Sequence, residues 1–148
     1  MTVSCDPNLR LPLWSSPAKA RAGMKEALRH ADIMKMSEEE AEFLGTVPRA
    51  RLVVITRGPR GGRVTSEEGR FDFPAFRVPT VDSTGAGDAF VAGMLYGILR
   101  DLPLRETIRL AAACGALVTL KRGAIPALPT RAAVRKMLSA RHGSGVAR

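Results

Sequence analysis

The chain has 148 residues, 45% hydrophobic and 25% charged, which is globular composition of about one domain and excludes a disordered or fibrous chain. Its longest uncharged apolar-rich run, Ala89 to Leu99, falls short of the ~20 residues that a bilayer-spanning helix needs. The formal net charge is +9 and the last carboxylate is Glu106, so the basic excess gathers in the C-terminal third, where no aromatic residue interleaves with the Lys and Arg beyond Thr130 as a single-strand stacking platform requires.

Along the chain, Thr2 to Trp14 reads as the end of a strand running into a loop, broken at Asp6-Pro7-Asn8. Those polar residues also arrive too early for a signal peptide. Ser16-Pro17 is a helix start, and Ala20, Met24, Ala27, Leu28 and Ala31 continue it at spacings of three and four. Ile33 to Met36 predicts a short buried strand, and Ser37 to Leu44 a short helix. Leu52-Val53-Val54-Ile55-Thr56 is β-branched and continuous, as in a parallel sheet covered on both faces. After the break at Gly58, Gly61 and Gly62, Val64 and Phe71-Asp72-Phe73 flank Glu67-Glu68-Gly69 as a hairpin. Val78 and Val81 suggest one more strand. Asp88 to about Arg100, Leu104 to about Leu120, and Arg131 to Ser139 then predict three helices, the second ended by Gly123 and Pro126. Strands followed by helices, with no repeat, indicate an α/β fold with a mostly parallel sheet. Cys5 and Cys114 lack CxxC spacing, so neither a disulfide scaffold nor a zinc site is expected. The reducing cytoplasm is the expected location.

The densest constellation is Asp82-Ser83-Thr84-Gly85-Ala86-Gly87-Asp88, lying just before a helix. Glycines let several backbone N–H groups converge, and a helix N-terminus adds positive potential, which together suit an anion such as a transferring phosphoryl group. Asp88 is placed to accept a proton from an attacking hydroxyl. These residues read equally as a tight turn capped by an Asp. They match neither the Walker A loop nor GxGxxG. Ser37-Glu38-Glu39-Glu40 has the spacing of a capping box, and the glycines after Thr56 suit a plain turn between strands.

Val81-Asp82-Ser83-Thr84-Gly85-Ala86-Gly87-Asp88-Ala89-Phe90 resembles the C-terminal signature of the ribokinase-like (PfkB) carbohydrate kinases. Three further stretches agree in order: Asp6 to Trp14, Ser37 to Glu40, and Cys114-Gly115-Ala116 with Gly123 to Thr130. Together they are most similar to plant-type fructokinases. The resemblance implies a three-layer α/β/α fold and ATP-dependent phosphorylation of a sugar, fructose to fructose 6-phosphate. It implies a catalytic base at Asp88 and an anion hole at Gly85, Ala86 and Gly87. Nucleotide contacts are implied at Thr56, Gly58, Gly61 and Gly115, and sugar contacts at Asn8, Arg10 and Asp88. Glu40 would organise the waters of Mg²⁺, while Asp82 and Thr84 would help to hold a monovalent cation, K⁺.

The resemblance begins midway through the family's sequence. Residues 1–140 are therefore expected to be the C-terminal half of a kinase domain, without its first strands and lid, and 141–148 a basic tail. The expected partners are a small sugar and ATP, with either a homo-oligomer or the missing half, and no membrane or nucleic acid. Weak or absent turnover follows from that reading, and a catalytically inactive member serving as an interaction protein is the alternative.

Overall fold

Ser16 caps the first helix as its chemistry dictates. Its Oγ accepts the Lys19 N–H at 3.2 Å, and Pro17 occupies the first helical position, where a missing N–H costs nothing. The computed structural model describes residues 1–140, and the basic tail expected at 141–148 lies outside the described residues. The chain divides into two compact units, Met1–Pro74 and Ala75–Arg148.

The first unit carries one five-stranded sheet in the order β1 (Ser4–Cys5), β2 (Ile33–Ser37), β3 (Leu52–Thr56), β4 (Gly62–Ser66), β5 (Gly69–Phe73). β1, β2 and β3 pair in parallel, while β4 is antiparallel to both β3 and β5. Four of the five strands thus point the same way, and the sheet is mixed but mostly parallel. The parallel neighbour expected for β3 stands on one side only. The other side is a β-hairpin arm, because the loop between β3 and β4 is too short for a crossover. Two helices complete the unit, α1 (Pro17–Leu28) and α2 (Glu38–Leu44). Met24 and Leu28 of α1, Met34 and Met36 of β2 and Leu44 of α2 form its core, each side chain contributing about 1.5–3 kcal/mol by leaving water. The β4–β5 hairpin turns at Glu67-Glu68 as expected, and its register sets Arg63 opposite Asp72. There the guanidinium donates to both carboxylate oxygens, at 2.7 and 3.1 Å.

The second unit, described as far as Ala140, is helical: α3 (Ala86–Leu99), α4 (Leu104–Val118) and α5 (Arg131–Ala140). The strand suggested by Val78 and Val81 does not form. Residue 81 and its neighbour instead give their N–H groups to the Thr119 carbonyl, at 2.8 Å from Val81 and 3.2 Å from Asp82, so no ladder partner is left for a strand. The α3 and α4 backbones approach closely where Gly93 faces Ala111 and Cys114. A methyl group there would stand 2.9 Å from the Ala111 Cα. Met94 is fully buried. Tyr96 on the same helix is exposed and accepts a hydrogen bond from Arg131 Nη2 at 3.2 Å. Among the described residues no helix is long and apolar enough to cross a membrane.

Candidate functional site

In the first unit, an open cleft of about 300 Å³ is lined by Asp6, Asn8, Arg10, Lys35, Ser37 and Glu40, with Leu9 and Glu39 beside them. It lies beyond the carboxyl ends of β1 and β2, where parallel sheets ordinarily place ligands. Of the expected residues, Asn8, Arg10 and Glu40 are brought together here. Asn8 is left-handed, with φ of 43°, and both Asn8 and Arg10 are exposed.

Glu40 is buried. One carboxylate oxygen accepts the Leu9 N–H at 2.6 Å and the other the Ser37 N–H at 2.8 Å, while Ser37 Oγ accepts the Glu40 N–H at 3.2 Å. The capping box read from the sequence is therefore complete. The bond to Leu9 adds a long-range tie that local spacing could not reveal.

Lys35 also lines the cleft, although no motif singled it out, and so does Asp6, which opens one of the resembling stretches but was assigned no role. Lys35 Nζ donates to Asp6 Oδ2 at 3.0 Å, and only 8% of the Lys35 side chain is exposed. The available signal was a lone lysine inside the apolar run of β2, since a charge so placed needs a partner.

Thr56, Gly58 and Gly61 stand at the end of β3 and in the turn to β4. The Thr56 hydroxyl donates to the Met36 carbonyl at 3.3 Å, and the Arg57 N–H to the Gly61 carbonyl at 2.7 Å. Gly58 and Gly61 both have positive φ, so the plain turn accounts for these glycines structurally. The turn is charged as well: Glu38 pairs with Arg57 at 3.5 Å and with Arg60.

In the second unit, Ala86 N–H donates to the Ser83 carbonyl at 3.1 Å, with Gly85 at φ 79° and ψ 2°. That left-handed third position is what a type II turn requires, and glycine adopts it without a Cβ clash. α3 consequently opens at Ala86, two residues before the start expected at Asp88. The Ala86 N–H is taken by the turn. The N–H groups of Gly87 and Asp88, second and third in the helix, have no intrahelical acceptor. The Asp88 side chain is exposed in the first turn, where the helix field favours its negative charge. Gly115 of α4 lies against this turn, because a Cβ there would sit 3.2 Å from the Ala86 carbonyl oxygen.

Asp82 organises the approach to α3. Its Oδ1 accepts the Thr84 N–H at 2.9 Å and the Thr84 hydroxyl at 2.7 Å, and its Oδ2 accepts the Gly123 N–H at 2.9 Å. These bonds, that from Gly123 foremost, hold its carboxyl down at about 2, since each favours the ionised form.

Among the described residues, no group of three His, Cys, Asp or Glu side chains is placed to hold a metal ion. Glu40 keeps carboxylate lone pairs beyond those that accept the Leu9 and Ser37 N–H groups, and a carboxylate is the acceptor that a metal-bound water needs. The ionised Asp82 and the remaining lone pairs of the Thr84 hydroxyl are oxygen donors, the chemistry a monovalent cation needs.

Comparison with known proteins adds to this geometry. The family model of the pfkB family carbohydrate kinases matches residues 1–131. Fructokinase-2 of Zea mays is 39% identical over 156 residues, covering 92% of this chain and 47% of its own length. Fructokinase-2 of Oryza sativa subsp. japonica is likewise 39% identical, over 92% of this chain and 46% of its own. The chain thus spans about half the length of the curated relatives it matches. Among solved structures, fructokinase from Vibrio cholerae O395 with fructose, ADP and calcium bound has a TM-score of 0.83 and 36% identity, covering 93% of this chain and 50% of that one. Fructokinase from Xylella fastidiosa with bound ATP has a TM-score of 0.84 and 29% identity, covering 95% and 52%. These likenesses put the fold in the ribokinase-like α/β/α class.

Proposed function

The chain belongs to the pfkB family of carbohydrate kinases, and from that premise we propose that it serves ATP-dependent phosphorylation of a sugar, fructose to fructose 6-phosphate. In this reading the chain corresponds to the C-terminal half of the family's kinase, with residues 1–140 as its partial domain. One observation carries the proposal. Asp88 stands exposed on the first turn of α3, directly after the Gly85 turn and beside the N–H groups of Gly87 and Asp88 that have no intrahelical acceptor. A base next to an anion-stabilising helix start is the pairing that phosphoryl transfer to a hydroxyl needs.

Each residue then has a task. The Asp88 carboxylate contacts the sugar hydroxyl and takes its proton as the phosphoryl group transfers. The backbone at Gly85, Ala86 and Gly87 faces the growing negative charge. Asn8 and Arg10 hold sugar hydroxyls, Arg10 by donating only and Asn8 by donating and accepting. Thr56, Gly58, Gly61 and Gly115 bound the nucleotide. Gly115, by lacking a Cβ, lets α4 pack against the turn at the Ala86 carbonyl. Mg²⁺, when bound, neutralises charge on the β- and γ-phosphates. Glu40 orients its waters through the lone pairs not used by Leu9 and Ser37. Asp82 and Thr84 supply oxygens for K⁺, and Asp82 also locks the loop ahead of α3. Bound ADP or ATP in the solved fructokinases supports the nucleotide part of this reading, and bound fructose in that of Vibrio cholerae supports the sugar part.

The test is fructose-dependent release of ADP from ATP and Mg²⁺ by the 148-residue chain, beside its Asp88→Asn variant. Slow turnover that needs both fructose and Asp88 is the expected result. Turnover equal in the two proteins removes Asp88 from the role. Absent turnover by both proteins, together with salt-sensitive binding to an acidic partner, favours an inactive member acting as an interaction protein.

A further inference from the structure

Lysine is out of place in the middle of β2. Its neighbours Met34 and Met36 are fully buried, and Lys35 itself is 6% exposed, a depth at which an unpaired ammonium is strongly disfavoured. The parallel register that sets Cys5 beside Met34 brings the next residues, Asp6 and Lys35, together at the carboxyl ends of β1 and β2. Their side chains meet at 3.0 Å. A buried ion pair of this kind adds little stability over an apolar pair of the same volume. What it does supply is a fixed geometry.

That geometry passes to the residues which follow. Asp6 uses its second oxygen, Oδ1, to accept the Asn8 N–H at 3.3 Å, an Asx turn that supports the left-handed Asn8. Asn8 and Asp101 are the only non-glycine residues with positive φ among those described. One residue later the Leu9 N–H donates to Glu40 Oε1 at 2.6 Å. The segment 6–10 is therefore pinned at Asp6 by Lys35 and at Leu9 by Glu40, and its exposed members Asn8 and Arg10 line the cleft with Lys35.

We propose that Lys35 is a positioning residue: acting through Asp6, it holds the left-handed turn at Asn8 and so sets how Asn8 and Arg10 face the cleft. That these two residues then meet a sugar rests on the function proposed above, but the positioning itself does not. Without the ammonium, the Asp6 carboxylate is left part-buried and unpaired. It turns to water and releases the Asn8 N–H. A neutral Asn at position 6 has no such reason to leave, and its carbonyl oxygen accepts the same bond.

The experiment compares three forms of the 148-residue chain by amide hydrogen exchange in NMR, without ligand: wild type, Lys35→Met, and Lys35→Met combined with Asp6→Asn. Met fills the lysine's volume in both variants, so loss of packing alone affects them equally. The Leu9 amide is expected to exchange roughly tenfold or more faster in Lys35→Met and to regain most of its protection in the double variant. A Lys35→Met chain too unstable to measure, beside a folded double variant with Leu9 protected, supports the same conclusion. Unchanged exchange in Lys35→Met overturns it, as does equally fast exchange, or equal instability, in the single and double variants. A fructose titration of the wild type, read at the Asn8 and Arg10 resonances, tests the sugar-binding reading separately, so the two can fail independently.

Discussion

Asp82 Oδ2 accepts the Gly123 N–H at 2.9 Å across 41 residues of sequence, joining the loop before α3 to the loop after α4. Through its other oxygen, which serves both groups of Thr84, one carboxylate fixes the approach to the Gly85 turn. The position of the helix start therefore depends on a side chain far from the next loop in sequence but adjacent to it in space.

This bond makes a pH-dependent contribution to stability. The Asp82 pKa is lowered from 3.8 to about 2 in the folded chain, so folding favours the ionised form. The contribution is full above the unfolded value and is lost as pH falls from about 4 through about 2. Asp82→Asn should lower the melting temperature by a steady amount at neutral pH. That difference should shrink below pH ~4 and nearly vanish near pH ~2, as read by thermal melts of both proteins across the range. A difference that grows on acidification would contradict the assignment.

Asp88→Asn should reduce fructose-dependent turnover by about 10²–10⁴, the usual worth of a positioned general base. Binding of ATP, followed by calorimetry, should stay within a few-fold because the backbone N–H groups of the first turn remain. Stability should change little, since the exposed Asp88 makes no contact that Asn lacks apart from its favourable charge at the helix start. A parallel fall in nucleotide affinity and turnover would assign Asp88 to binding instead.

Glu40→Ala should destabilise the chain more than Ser37→Ala. Removing the serine takes one cap, about 1 kcal/mol. Removing the glutamate strips acceptors from both Leu9 and Ser37 N–H groups, each costing about 1–3 kcal/mol when left unpaired away from water. Urea unfolding of the two variants ranks them directly, and the reverse order would mean that the long-range tie to Leu9 carries no stability.

Gly93→Ala tests the close approach of α3 and α4. Alanine gains about 1 kcal/mol of helix propensity over glycine, but its methyl would stand 2.9 Å from the Ala111 Cα and from Cys114 Sγ. The cysteine side chain can rotate, whereas the Ala111 backbone cannot. Overpacking of this kind costs about 1–3 kcal/mol, so net destabilisation is expected in denaturant unfolding. A stabilised variant would show that the two helices can separate without loss.

Much of the fold was legible because its signals are local. The Ser16-Pro17 helix start, the β-branched run of β3, the Glu67-Glu68 turn and the Ser37–Glu40 box each depend on residues within four positions of one another. Backbone preference and side-chain reach act over that distance. The stretch ending at Val81 reads as a strand in the sequence, yet no strand forms there. A strand exists only if a ladder partner does, and here the N–H groups go to Thr119. The apolar pattern of β3 showed burial but could not tell a parallel from an antiparallel neighbour, since both bury the same side chains.

The sequence by itself determined most of the elements, the glycine turn ahead of α3, and the acidic and polar residues available for chemistry. Only the tertiary structure decided which of them meet. The partnerships of Lys35 with Asp6, Glu40 with Leu9 and Asp82 with Gly123 span 29, 31 and 41 residues. None has a periodicity or a capping rule to announce it. They arise because strand register and helix packing bring distant backbone together, and a buried charge or N–H group must then be satisfied by whichever side chain lies within reach.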